Sequence, residues 1–301
     1  MYKLLKLVLF PLALGPIAFA QTFQFAQFDV PGAHLTNPFG VNASGQIVGI
    51  YEDSSGASHG FLRHPDGSYT TIDYPGATFT TAASINARGE IVGRWTDLDG
   101  NTHAYLRSAN NKFTSLDPTA PCIVTSLPTI AHGINDAGDI AGRCWDINGN
   151  EYGFIRNHVD GAYTILLFPG SLSSDAWALT MGKVGSKTPV PKVLGDYSDA
   201  TWYVHGLIWS PSEGFTTLDF PGHQTGLRWR NQRDDITGIY ATDDGALHGF
   251  LFREGGFTTV DYPGSVSNAG TLVINDKGLV VGGFDDSNGS EHGFIAVQLH
   301  H

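Results

Sequence analysis

Short runs of β-branched and aromatic residues, cut by clusters of Asn, Asp, Gly and Pro, come back in the same order six times between Phe28 and Phe294. The clearest copy begins at Tyr69 and reads YTTIDYPGA, then SINARGEIVGRW, then TDLDGNTHAYL. Turn residues divide each copy into four pieces. The first ends in Ile-Asn or a variant and turns through Asn-x-x-Gly, closing at Gly45, Gly89, Gly138 and Gly278. The second is QIVGIY, EIVGRW, DIAGRC, DITGIY or LVVGGF, and it reaches a turn rich in Asp and Gly. The third is HGFLR or HAYLR, and the fourth is YTTIDYPG, FTTLDFPG or FTTVDYPG. Asn and Gly accept the left-handed backbone that tight hairpins need, and Pro ends the fourth piece because it cannot extend a central ladder. Four short strands joined by hairpins predict one antiparallel blade per copy.

The third piece fixes the period. Counted from Gly60 to Ala104, Gly153, Gly206, Gly249 and Gly293, successive copies lie 44, 49, 53, 43 and 44 residues apart. Such a period marks an array whose units bury apolar surface against their neighbours. The chain starts with a fourth-type strand, FQFAQFDVPG, and ends with a third-type strand, HGFIAVQL. Together they complete one blade, which predicts a single six-bladed β-propeller over residues 21–301, closed by the N-terminal strand. A linear solenoid would leave both complementary ends unpaired. Glycines inside the second strands, Gly49, Gly93, Gly142, Gly238 and Gly282, are expected where another sheet comes close.

These phrases, GINxxGxIVGxYxDxxGxxHGF and FTTIDxPGA, resemble the HAF-type extracellular repeats of bacterial exported proteins over essentially the whole mature chain. The resemblance implies export and a repeat architecture, and it carries no activity to transfer.

Residues 1–20 read as a leader: Lys3 and Lys6 without an acid, an apolar stretch from Leu7 to Leu14, and Ala18-Phe19-Ala20 at the cleavage position. The stretch is too short to span a bilayer, so cleavage before Gln21 is expected to release a secreted, periplasmic or extracellular protein without membrane insertion. The chain has 17 basic and 29 acidic side chains, net −12, and loss of the two leader lysines takes this to −14. A surface of that sign repels nucleic acid and anionic lipid. Two cysteines in an exported chain suggest a disulfide, and the topology brings Cys122, in a four-to-one loop, near Cys144, at the end of a second strand.

Within a propeller the two-to-three hairpins and the four-to-one loops share a face. That face gathers the Asp-rich turns, the Pro-Gly loops and His59, His103, His205, His248 and His292, with Tyr152 in the sixth place. Equivalent positions on separate blades are too far apart for a zinc site, so each imidazole is expected to bond within its own blade. Asp97-x-Asp99-Gly100, Asp146-x-Asn148-Gly149 and Asp285-Asp286-x-Asn288 offer oxygen at alternate positions, as calcium prefers, but without the closing Glu of an EF-hand; turn capping is the plainer role, and no cofactor is expected.

Departures from the repeat point to function. Two residues before the first-strand Ile stand Phe39, Ala83, His132, Trp177, Arg228 and Leu272. First strands line the axis, so His132, Trp177, Arg228, Trp229 and Arg230 are the candidate ligand site, suited to a carboxylate or a sugar face. The competing role for the arginines is pairing with Asp234 or Asp235. Catalytic signatures such as Gly-x-Ser-x-Gly and His-Glu-x-x-His are missing from the sequence. The favoured function is a monomeric, non-catalytic binding module for a small molecule, glycan or surface protein. Its alternatives are a hydrolase or lyase acting on a carbohydrate or lactone at the axis, and a purely structural envelope component.

Overall fold

The computed structural model describes residues 23–116, 128–180 and 192–299, which form strands and no helix. The leader, Cys122, Asp117 and the long first hairpin of blade four therefore lie outside the described residues. The chain enters through β1 (Phe23–Phe28). Blade one is β2 (Leu35–Val41), β3 (Ile47–Glu52), β4 (Ser58–Arg63) and β5 (Tyr69–Ile72). Blade two is β6 (Phe79–Ile85), β7 (Ile91–Thr96), β8 (Thr102–Arg107) and β9 (Phe113–Ser115). Blade three is β10 (Thr129–Ile134), β11 (Ile140–Trp145), β12 (Glu151–Arg156) and β13 (Tyr163–Leu166). Blade four is β14 (Ser173–Thr180), β15 (Lys192–Ser198), β16 (Val204–Ser210) and β17 (Gly214–Thr217). Blade five is β18 (Gln224–Arg230), β19 (Ile236–Ala241), β20 (Leu247–Arg253) and β21 (Gly256–Thr259). β22 (Ser267–Ile274), β23 (Leu279–Asp285) and β24 (Glu291–Gln298) make the last blade, and β1 adds its fourth strand. The pairing runs antiparallel from Phe23 opposite Gln298 to Phe28 opposite Gly293, so the six-bladed ring closes as the repeat predicts.

The core is six seams between neighbouring blades. Val48, Leu62 and Ile72 of blade one pack on Ala82, Ile85, Ile91 and Tyr105 of blade two. The closing seam has the same build, with Phe28, Val273 and Val281 against Val41, Ile47 and Phe61. The aromatic of His-Gly-Phe is central: Phe61, Tyr105, Phe250 and Phe294 have no solvent exposure. Within the seams, the aromatic before Pro-Gly lies flat on an aromatic at the end of the next blade's second strand. Tyr74 stacks on Trp95 at 4.0 Å, Phe168 on Tyr197 at 3.9 Å, Phe220 on Tyr240 at 3.8 Å and Tyr262 on Phe284 at 4.0 Å. In blade three Cys144, fully buried, occupies the second-strand position of this stack.

The Asn-x-x-Gly turns couple blades as well as closing hairpins. Asn42 Oδ1 accepts the backbone N–H of Ser44 and Gln46, while its Nδ2 donates to the carbonyl of Asn86 at 3.2 Å. Asn86 donates likewise to Asn135, Asn231 to Asn275, and Asn275 to Asn42. Blade four carries Thr180 at the corresponding place.

The second-strand glycines have a reason different from the expected one. A Cβ on Gly142 would sit 2.1 Å from the carbonyl oxygen of Ile130 and 2.6 Å from Phe154 Cζ, both in its own blade. The neighbouring blade instead approaches the glycine of His-Gly-Phe: a Cβ on Gly153 would meet Ala176 of blade four at 3.3 Å.

Candidate functional site

The repeated histidines bond inside their own blades. The Nδ1–H of His59 donates to Asp73 at 2.8 Å, of His205 to Asp219 at 2.8 Å, of His248 to Asp261 at 2.7 Å, and of His292 to Asp29 at 3.0 Å across the closing strand pair. His103 faces Asp97, and Tyr152 donates its hydroxyl to Asp146. The turn carboxylates are committed to their own loops. Asp97 Oδ1 accepts the N–H of Asp99 and Asn101, and Asp146 Oδ1 those of Asn148 and Asn150. Hydrogen bonds from neighbouring side chains and backbone hold Asp53, Asp97, Asp146 and Asp199 down to about 2. Among the described residues no three His, Cys, Asp or Glu side chains converge so as to hold a metal ion.

The axis carries a cavity of about 420 Å³ on the same face. Every first strand has a bulge facing its own second strand, and the unpaired residues there are Phe39, Ala83, His132, Trp177, Arg228 and the stretch 269–271. All of them line the cavity. A bulge adds one residue, bends the strand and re-aims a side chain; here it turns one position per blade toward the axis. Blade six departs from the sequence alignment, because its wider bulge puts Ala269, Gly270 and Thr271 at the axis and leaves Leu272 fully buried in the seam with blade five.

His132, Trp177 and Arg228, from three consecutive blades, form one layer. The His132 and Trp177 ring centroids are 4.1 Å apart, and Arg228 Cζ lies 4.1 Å from the Trp177 centroid. Arg228 is tied down by Asp196 at 2.9 Å and by the carbonyl of Gly270 at 3.1 Å. Burial and three nearby arginines push the His132 imidazole well below its usual range, so it is neutral, 3.7 Å from Asp175. Asp175, almost fully buried, is pushed above the carboxylate range by burial, although Arg143 lies 3.0 Å away.

The five candidate residues do not form one site. Trp229 borders both this cavity and a second depression at the opposite end of the axis, among the Asn-x-x-Gly turns. Arg230 faces only that second depression and pairs with Asp234. Two other cavity residues, Arg94 and Arg143, escaped the sequence reading. Both follow the second-strand glycine, where the blades carry Ile50, Arg94, Arg143, Asp196, Ile239 and Gly283. That column is as irregular as the first-strand column, and its irregularity was the available signal.

No protein-family model and no curated protein sequence matches the chain. Solved structures share its fold. A protein assigned as TolB from Agrobacterium tumefaciens superposes with a TM-score of 0.58 at 11% identity, covering 93% of this chain and 91% of its own. One assigned as a gluconolactonase gives 0.55 at 12% identity over 93% and 94% of the two chains. The Aleuria aurantia lectin, bound to Fucα1-6GlcNAc, gives 0.52 at 11% identity over 89% and 96%. At these identities the likeness concerns the fold alone.

Proposed function

We propose that this chain is an exported, non-catalytic binding module of the HAF-repeat type, which takes a small ligand into its axial cavity. The observation that carries this reading is that all six bulges, which hold one of the irregular columns of the repeat, converge on that one cavity. A cavity of this volume with a mostly apolar lining and a few polar groups has the character of a small-molecule site. Export is supported by the lysine, apolar and Ala-x-Ala order of residues 1–20. The order of the chain also supports a Cys122–Cys144 disulfide, which would tie the blade-two exit loop to blade three where other seams use stacked aromatics; intact mass before and after reduction decides it.

The test is a thermal-shift screen of the mature protein against small metabolites and soluble glycans, repeated with Trp177→Ala. A ligand at about 100 times its Kd adds roughly 2.7 kcal/mol to stability. The expected result is a ligand class that raises the melting temperature of the wild type and loses that effect in folded Trp177→Ala. Equal shifts in both proteins would place binding elsewhere and end this reading.

The competing reading is a hydrolase or lyase, favoured by neutral His132 beside Asp175 at the cavity wall. Its mark would be turnover of a lactone or glycoside by the wild type that His132→Ala abolishes while binding persists.

A further inference from the structure

The cavity contains three guanidinium groups in different states of compensation. Arg228 is spent on Asp196 and on the Gly270 carbonyl. Arg143 lies 3.0 Å from Asp175 and 3.6 Å from Glu151. Arg94 is different: among the described residues its guanidinium makes no ion pair and no hydrogen bond, and its Cζ lies over the face of Phe79, 5.3 Å from the centroid. It is nonetheless half-buried in the cavity wall, and burial together with Arg143 lowers its pKa. A partly desolvated cation without a counter-charge is poorly compensated, and pairing with an anion relieves it. Its setting sharpens the point, because the chain as a whole is acidic at net −12, yet no carboxylate among the described residues is spent on this arginine. The rest of the lining includes Phe39, Ile130, Ile239 and Val273, which give a ligand body nothing to hydrogen-bond.

We infer that the cavity selects a monocarboxylate with an apolar body, its carboxylate received by Arg94 and its body by Phe39, Ile130, Ile239 and Val273. This rests on the axial cavity being the binding site. One free guanidinium matches one carboxylate, because its planar fork donates two parallel N–H bonds to the two oxygens. Arg143 adds to the positive potential from the neighbouring blade, whereas Arg228 holds the Trp177 layer in place.

The experiment compares matched pairs by titration calorimetry at low salt: benzoate with benzamide, indole-3-acetate with indole-3-acetamide, and galacturonate with galactose. In the wild type, the aromatic acids are expected to bind at least tenfold more tightly than their amides and more tightly than galacturonate. In Arg94→Gln the acid and amide affinities converge, while Arg94→Lys keeps part of the preference and circular dichroism shows both variants folded. Equal binding of acid and amide by the wild type, or a preference that survives in Arg94→Gln, overturns the carboxylate assignment and leaves the cavity as a site for neutral ligands. Tighter binding of galacturonate than of the aromatic acids overturns the apolar body. If no probe of either kind binds at millimolar concentration, or binding is indifferent to Trp177→Ala as well, the axial binding site falls with it.

Discussion

At the scale of single residues, the repeat conceals two kinds of glycine. Those in the Asp-Gly turns have open space around them but a left-handed backbone, as at Gly149 with φ near +80°. Gly142 has ordinary dihedrals and no space. Gly142→Ala must push the Ile130 carbonyl or the Phe154 ring aside, and overpacking of that kind costs about 1–3 kcal/mol. Urea unfolding should show a lower midpoint with an unchanged slope. Gly149→Ala should cost about 1–2 kcal/mol through its left-handed backbone alone. The sequence marked both glycines as special, but it named the wrong neighbour for Gly142, because a first-strand bulge changes no residue type and is invisible in the spacing. The same blindness explains the site. Column variation exposed His132, Trp177 and Arg228, whereas Arg94 sits inside a motif, EIVGRW, whose other members build the blade.

At the scale of strands and turns, the closing blade carries a pH-sensitive contact. Glu291, at the start of β24, is pushed up to about 7 by burial and by the nearby charge of Asp285, against a hydrogen bond from Asn37 of blade one. The folded protein therefore keeps this proton up to about pH 7, while the unfolded chain releases it near the ordinary value of 4.5. Between those limits the folded state binds more protons, so its stability falls as pH rises, and above pH 7 the contribution is constant. Glu291→Gln removes this slope. Its melting temperature relative to the wild type should rise from pH 5 to pH 8, and a constant difference across that range would show that Glu291 is ordinary. The strands themselves were legible in the repeat, since turn residues bound each one. The Asn-to-carbonyl links between blades were not, because the sequence shows an asparagine capping its own turn and gives no hint of the carbonyl it reaches across the seam.

At the scale of the whole molecule, closure depends on a strand of six residues. β1 brings Phe25 against Tyr262 and Phe294, and it seats Phe28 beside Gly293 and in the seam with blade one. A chain begun at Asp29 leaves the outer edge of β24 unpaired, an invitation to edge-to-edge association. Size-exclusion chromatography should find it dimeric or aggregated, whereas a chain begun at Gln21 elutes as a monomer. A monomeric, fully stable protein without β1 would mean that the ring does not need its fourth strand there. Closure was readable because the two ends are complementary fragments of one repeat. The cavity was readable only as a place, since its charge balance depends on which arginines find carboxylates across blades.

Pairing of Phe23 with Gln298 also fixes where the polypeptide can be attached to anything else. Phe23 and Gln298 lie at the rim beside the Asn-x-x-Gly turns, while the arginine-lined mouth opens on the opposite side. A fusion partner, capture tag or covalent tether joined at either end would orient the molecule with its opening outward, as an immobilised sensor requires, without occluding the arginine-lined mouth.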